Sequence, residues 1–312
     1  MQREMLRMEN RFIYVDGKII PWAKATVHIM CHSFARGSGI FEVISLHKTK
    51  TGRAIFRLDE HLDRLTSTAD LLSMKIPISN EKIVEAIYET VKANDIYEGV
   101  IKIMAYYPQT AVDILPSAGS SLTMSIIVFK AGEIVGSIPV PFEEGISLCR
   151  SKWNKLDPRS VPVEAKVAAN YLNGMMGALD AKERGFDRAI MFDMDGFIAE
   201  SSTSSVFMIK SGELLTPEIG TILKSISRKS IIEIAKVYDI PVKEAKITYD
   251  SLIKADEIFM ASTTGRVTPV VKFENINLPG ARGPISQKLY YHMEKIQKGD
   301  DDRFACWLFE VK

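Results

Sequence analysis

The sequence predicts a mixed α/β chain, α+β in arrangement, built as two domains. Strand-patterned and helix-patterned segments follow one another in both halves of the chain. The texture changes between residues 130 and 144, where two glycines and two prolines fall in a stretch with little periodicity. At 312 residues the chain is too long for one small core and suits two domains or one large α/β unit. The expected boundaries are a small domain over 1–130, a linker over 131–144 and a larger domain over 145–312.

Phe12–Val15, Asp16-Gly17 and Ile19-Ile20 form a hairpin signal, since Asp-Gly supplies the positive φ angles of a type I′ turn. Residues 40–47 and 53–58 read as further strands. Asp59 is expected to cap a helix with Leu62, Leu65, Ala69 and Leu72 on its apolar face. Ser79 is expected to cap a second, with Ile83, Val84, Ile87, Tyr88 and Val91 on one side. Residues 100–107 and 122–129 are apolar and β-rich, and a new β-rich segment starts near Ile146. Leu172, Met175, Met176 and Leu179 make an i, i+3, i+4, i+7 face on a helix that ends at Gly185. Hairpins are expected around Asp195-Gly196 and Ser211-Gly212. A helix starting near Ser227 should turn Ile231, Ile234, Ala235 and Tyr238 inward, and 257–261 form a short buried strand.

Composition narrows the function. Hydrophobic residues make up 46% and charged residues 25%, which is ordinary for a globular protein. With 40 basic and 39 acidic side chains the net charge is +1, so no global field attracts nucleic acid or an anionic membrane. No apolar run reaches spanning length, and the charged first ten residues lack the apolar core of a signal peptide. Cys31, Cys149 and Cys306 are odd in number and far apart, which argues for reduced thiols in the cytoplasm over a disulfide framework or zinc site. His28 and His32 flank Cys31, but without a carboxylate at fixed spacing no metal is expected.

Dinucleotide, Walker, zinc-protease and nucleophile-elbow motifs are absent. Four polar clusters instead follow or open apolar elements: Arg57 after Ala54-Ile55-Phe56; Glu200 before Ser201–Ser205; Ser225-Ile226-Ser227-Arg228 at a helix start; and Ser262-Thr263-Thr264-Gly265 after Ile258-Phe259-Met260. A helix N-terminus offers free N–H groups and a positive dipole to an anion. An arginine and a Ser/Thr-Gly loop would complete a phosphate cup.

Ser151-Lys152-Trp153-Asn154-Lys155 through Pro162-Val163-Glu164-Ala165-Lys166-Val167-Ala168-Ala169-Asn170-Tyr171 is similar to the S-x-W-N-R…P-x-x-A-K-x-x-x-N-Y pattern of the fold-type IV pyridoxal-phosphate enzymes. The chain resembles their branched-chain and D-amino-acid aminotransferases over most of its length, roughly Tyr14 to Pro269. This resemblance implies a two-domain fold: an N-terminal α/β domain and a C-terminal, β-barrel-like cofactor domain surrounded by helices. It makes Lys166 the lysine that carries pyridoxal 5′-phosphate as a Schiff base, and Tyr171 the partner of the cofactor's phenolic oxygen. Arg57, within an F-R-x-x-E-H-x-x-R-L match, becomes the phosphate arginine, and Glu200 the carboxylate paired with the pyridine nitrogen. The amides of Ile226 and Ser227 would hold the phosphate. Thr263 and Thr264 would complete the cup and also face the substrate carboxylate.

The substrate pocket departs from the branched-chain pattern. Arg36 stands where a tyrosine is usual, and Val100-Ile101-Lys102 replaces Y-I-R. Arg36, Phe41 and Lys102 are therefore expected to face the substrate, with Phe41 as an apolar wall and Lys102 as a less directional clamp than arginine. The implied reaction moves an amino group between a branched-chain L-amino acid and 2-oxoglutarate by a ping-pong route, in a homodimer or higher homo-oligomer. A D-amino-acid or amine transaminase is the neighbouring reading. An aminodeoxychorismate-lyase-like elimination is another, against which the long lysine segment argues.

Overall fold

The computed structural model describes residues 8–134 and 139–312. The linker expected over 131–144 includes 135–138, and the N-terminal reading includes 1–7; both sets lie outside the described residues. The chain divides into two compact units. The first comprises Met1–Ile138, Ala165–Ala169 and Gln297–Lys312; the second comprises Pro139–Glu164 and Asn170–Ile296. Two late segments thus join the first unit, through pairings that leave no local trace in the sequence. Leu308–Glu310 pairs with Arg53–Phe56, and Val167 bridges Ile40.

The first unit is a seven-stranded antiparallel sheet. Strands β1 (Phe12–Val15) and β2 (Lys18–Pro21) form the expected hairpin, with Asp16 and Gly17 at φ 42° and 84°, as a type I′ turn requires. Short helix α1 (His32–Arg36) precedes β3 (Ile40–Lys48) and β4 (Arg53–Phe56). Helices α2 (Leu58–Leu71) and α3 (Asn80–Ala93) follow, then β5 (Gly99–Tyr106) and β6 (Thr123–Phe129). The order across the sheet is β16-β4-β3-β5-β6-β1-β2, with β16 the strand Leu308–Glu310. Alternate residues of β3, β5 and β6 point to one face: Ile40, Ile44, Ile101, Ile103, Ile126 and Val128 are buried there. Leu62 and Leu65 of α2 and Ile83, Ile87 and Val91 of α3 join the same core. Helical and strand periodicities thus meet on one apolar surface.

Two caps differ from expectation. Asp59 lies in the first turn of α2, and the N-cap is Arg57, at φ 50° and ψ 46°. This left-handed conformation is uncommon for a non-glycine residue, and Arg57 is held in it by tertiary contacts described below. Ser79 does occupy the N-cap of α3, but its side chain does not cap the backbone; it bonds Glu81 and lowers that carboxyl's pKa.

The second unit holds a nine-stranded sheet in the order β12-β11-β10-β13-β14-β7-β8-β9, with β15 beside β14. Its strands are β7 (Ile146–Arg150), β8 (Arg188–Phe192), β9 (Ile198–Ser201), β10 (Ser205–Lys210), β11 (Glu213–Pro217), β12 (Val242–Ala245), β13 (Glu257–Ser262), β14 (Arg266–Phe273) and β15 (Ile276–Asn277). Pairings β7–β8, β7–β14 and β11–β12 are parallel and the rest antiparallel, so the sheet is mixed. β9, at one end of the order, also packs on β10 and β11 near the other end, so the sheet curls into a half-barrel. Helices α4 (Tyr171–Glu183), α5 (Ile226–Val237), α6 (Tyr249–Leu252) and α7 (Pro284–Gln297) complete the unit.

Helix α4 turns its large apolar stripe outward and buries its small residues. Leu172, Met175 and Leu179 are exposed, while Gly174, Gly177, Asp180 and Ala181 are buried. The reason is distance of approach. A Cβ on Gly174 would lie 2.8 Å from the Ser202 carbonyl oxygen, and one on Gly177 would lie 3.3 Å from the Met191 sulfur. Small residues let this helix sit against the strands, a packing that a count of large apolar residues cannot detect. At the start of α5, Ser225 is the N-cap and accepts from the Arg228 N–H at 3.2 Å; Ser227 lies two residues further on, within the first turn. Ile231, Ile234 and Ala235 are buried as expected, and Tyr238 stacks on His292.

Candidate active site

In the first unit, Lys166 is placed by a short segment that bridges β3 through Val167 and Ile40. Its neighbours Ala165 and Val167 are buried in the core, so Lys166 is sent to the opposite face. The segment is fixed at three points: Phe41 N–H donates to the Lys166 carbonyl at 3.1 Å, Ala168 N–H to Gly39 at 2.8 Å, and Lys166 N–H to Thr68 Oγ1 at 3.2 Å. The residue is 9% exposed and its Nζ lies 4.8 Å from the centroid of the Phe41 ring. Lys102, on β5, approaches the same ring at 5.4 Å. Val43 and Ile127 flank Lys102 across the sheet, and Met104 sits opposite Phe41. This face is thus apolar and carries two amines. Burial lowers the Lys102 pKa from its ordinary value, and Lys102 forms no ion pair among the described residues.

Arg57 is 3% exposed. Its Nε pairs with Glu60 at 2.8 Å and its guanidinium stacks 3.8 Å from the centroid of a Trp307 ring, while its N–H donates to the Trp307 carbonyl. Trp307, near the C-terminus, carried no sequence signal that linked it to Arg57. Arg36 is exposed and donates to the carbonyls of Val112 and Asp113, so it ties down the loop after β5. His28 accepts from Met30 N–H, and the His32 ring bonds Ser38 and the Ile114 carbonyl. Among the described residues, no cluster of His, Cys, Asp and Glu could hold a metal ion.

Behind Lys166 lies a buried charged group that sequence reading left without a role. Glu42 is wholly buried, accepts two hydrogen bonds from Arg64 at 2.7 Å and contacts His61 Nδ1 at 2.8 Å. Burial alone would raise the Glu42 pKa, but Arg64 and His61 outweigh it and hold the carboxyl well below the carboxylate range. His61 itself is pushed down, chiefly by burial. The signal was present in Phe-Arg-Leu-Asp-Glu-His-Leu-Asp-Arg-Leu: His61, Arg64 and Leu65 share one helix face with Thr68.

In the second unit, Glu200 on β9 is 7% exposed. Both of its contacts use Oε1: Lys155 Nζ at 2.7 Å and the Leu223 N–H at 3.5 Å. Oε2 meets no donor among the described residues. The Leu223 carbonyl accepts from Ser225 N–H at 2.8 Å, so Glu200 is linked to the start of α5. There the Ile226 and Ser227 N–H groups donate to no described residue, as the first turn of a helix dictates. α5 packs against β13, whose end leads into Thr263 and Thr264. That turn is shaped by Gly265 N–H donating to Ser262 Oγ at 3.0 Å. Tyr171 opens α4. The two units therefore divide the expected residues: Arg36, Phe41, Arg57, Lys102 and Lys166 in the first, and Tyr171, Glu200, Ile226, Ser227, Thr263 and Thr264 in the second.

Each set suits a part of pyridoxal phosphate by its chemistry: in the first unit, a buried amine on an aromatic wall; in the second, an unpartnered carboxylate oxygen for a pyridinium and free helix-start amides for a phosphate. The amino-transferase class IV family model matches residues 39–273. The branched-chain-amino-acid aminotransferase of Pseudomonas aeruginosa is 31% identical over 301 residues, covering 96% of this chain and 97% of that one. The crystal structure of the branched-chain aminotransferase of Thermoproteus uzoniensis with norvaline superposes with a TM-score of 0.91 at 30% identity, covering 97% of this chain and 99% of that one. That of Thermobaculum terrenum in its PLP form gives 0.89 at 28% identity, covering 98% and 99%. By sequence and by fold, the chain belongs to the class IV aminotransferases and is a pyridoxal-phosphate-dependent enzyme of fold type IV.

Proposed function

We propose that this enzyme transfers the amino group of a branched-chain L-amino acid to 2-oxoglutarate by two successive half-reactions. The observation that carries the substrate class is the face around Phe41. Val43, Met104 and Ile127 offer an aliphatic side chain an apolar surface, and Lys102 supplies one cation for a second carboxylate. The branched-chain aminotransferases with which the chain aligns nearly end to end support the same reading.

When bound, pyridoxal phosphate supplies an electron sink for the charge left on the substrate Cα as its proton departs. Lys166 would be the catalytic residue: it would anchor the cofactor and, once the substrate amine has displaced it, its Nζ would move the proton from Cα to the cofactor's C4′. Glu200 Oε2 would accept from the pyridine nitrogen. Tyr171 would bond the phenolic oxygen. Arg57 and the Ile226 and Ser227 amides would hold the phosphate. Thr263 and Thr264 would complete that cup and bind the substrate's α-carboxylate, while Arg36, Phe41 and Lys102 would line the side-chain end.

The test is a half-reaction assay with L-leucine, D-alanine and an aryl amine, following the cofactor's absorbance. L-leucine should convert the cofactor and D-alanine should not; the reverse preference rejects the substrate assignment. Lys102→Met should raise the KM for 2-oxoglutarate about tenfold, the weight of one charge-assisted hydrogen bond, and leave the L-leucine half-reaction within about twofold. Because burial lowers the Lys102 pKa, the wild-type KM for 2-oxoglutarate should climb on the alkaline side as the ammonium loses its proton, and Lys102→Arg should flatten that rise. Equal effects on both half-reactions would contradict the role.

The active form is proposed to be a homodimer in the cytoplasm. Three free thiols support the location. An apolar patch supports the dimer: Ile29, Phe34, Val112, Ile114 and Leu115 are each at least 70% exposed, and their two segments are tied by the Cys31–Thr110 bridge and the Ala111 N–H to Met30 hydrogen bond. Sedimentation should give twice the chain mass, and Phe34→Asp should move the protein toward monomer. No helix among the described residues is long and apolar enough to cross a membrane.

A further inference from the structure

The family pattern at residues 151–155 ends in arginine, and this chain ends it in Lys155. That lysine is built into position. Ser151 N–H donates to the Ile190 carbonyl at 2.8 Å and Lys155 N–H to the Phe192 carbonyl at 2.7 Å, so the segment runs along β8. Asn173 of α4 holds it from the other side, donating to the Asn154 carbonyl at 3.0 Å and accepting from Leu156 N–H at 3.3 Å. β8 pairs in turn with β9, which carries Glu200. The result is an ion pair at 2.7 Å in which both side chains are only 10% exposed. A buried charge without its partner is strongly unfavourable, so this pair is a constraint of a kind that a solvent-exposed pair is not.

From this geometry we infer that Lys155 is a positioning residue: its ammonium occupies Glu200 Oε1, keeps the group a carboxylate, and leaves Oε2 turned to the pyridine nitrogen of the cofactor. The inference rests on the reading of Glu200 given above. Its physical content is a choice between two places for one proton. Between a pyridine nitrogen and a carboxylate the proton sits on nitrogen when the negative charge on oxygen is stabilised, and a cation touching that carboxylate, on the side away from the ring, favours this arrangement. The protonated ring is the stronger electron sink. Lysine does this with a single point contact.

The experiment uses the holoenzyme reconstituted with pyridoxal phosphate labelled with 15N in the ring, compared among wild type, Lys155→Met, Lys155→Gln, Lys155→Arg, Glu200→Gln and the double variant Lys155→Met/Glu200→Gln. Near-UV circular dichroism establishes that each is folded; Lys155→Gln and the double variant cover the case in which Lys155→Met alone does not fold. The expected result has three parts. Lys155→Met and Lys155→Gln move the 15N resonance from the pyridinium toward the neutral-pyridine position and weaken cofactor binding about tenfold. Lys155→Arg retains the wild-type resonance. Adding Lys155→Met to Glu200→Gln produces no further shift. If Glu200→Gln moves the resonance and the Lys155 variants do not, the inference is overturned and the Glu200 assignment stands. If none of them moves it, the Glu200 assignment itself fails.

Discussion

Lys166→Ala is expected to lower transamination about a thousandfold or more, because in the proposed mechanism the same amine anchors the cofactor and carries the proton. The loss should appear in kcat for both half-reactions, and it should occur in a folded protein. The backbone contacts of residue 166 with Phe41 and Thr68 do not involve its side chain, and Ala165 and Val167 keep their places in the core. The thermal midpoint should therefore stay within a few degrees of wild type. Borohydride treatment of the cofactor-loaded wild type should attach the cofactor's mass to the peptide containing residue 166, and no such label should form in the variant. Turnover within tenfold of wild type, or a label on another lysine such as Lys102 or Lys155, would remove Lys166 from the mechanism.

The largest stability effect is expected at Arg64. Arg64→Met strips a wholly buried carboxylate of its bidentate partner, leaving Glu42 with His61 alone. Breaking such a pair from one side costs about 3–5 kcal/mol. For a unit of this size, that is a fall in midpoint of roughly 6–20 °C. Replacing both charges, as in Glu42→Gln/Arg64→Met, should recover much of the loss, since no unpaired ion remains. Calorimetry on the three proteins decides it, and a single variant within about 2 °C of wild type would refute the argument. The group also sets an acid limb. Glu42 is held below its ordinary value of 4.5, so its contribution is present above that pH and is lost as the pH falls beneath it. His61 is lowered from 6.5, so the unfolded chain takes up a proton near that pH before the folded one does, and stability declines as pH drops below it. Both signs agree: the midpoint should fall from pH 7 toward pH 4.

The family and its cofactor were legible in the sequence because the resemblance lies in short motifs whose members are a few residues apart. The lysine segment, the arginine after β4, the hydroxyl-rich helix start and the Ser-Thr-Thr-Gly turn each had a local pattern, and so did most strands and helices. What failed was decided at longer range. Asp59 was a sound cap by local rules, yet Trp307, 250 residues away, pins Arg57 into the left-handed conformation that starts the helix two residues earlier. The Leu172, Met175 and Leu179 stripe had helical spacing, but spacing does not say which face is buried. The glycines opposite Ser202 and Met191 allow a closer approach than large side chains do, and they took the buried side.

The sequence by itself determined the family and the cofactor, because the lysine segment is a run of adjacent residues that matches the family's pattern. Only the tertiary structure decided which oxygen of Glu200 Lys155 takes, that Glu42, His61 and Arg64 form one buried charged group, and that two late segments complete the first unit. Those outcomes depend on burial and on contacts between distant segments, where desolvation multiplies the weight of each charge, and no property of a single stretch of chain records them.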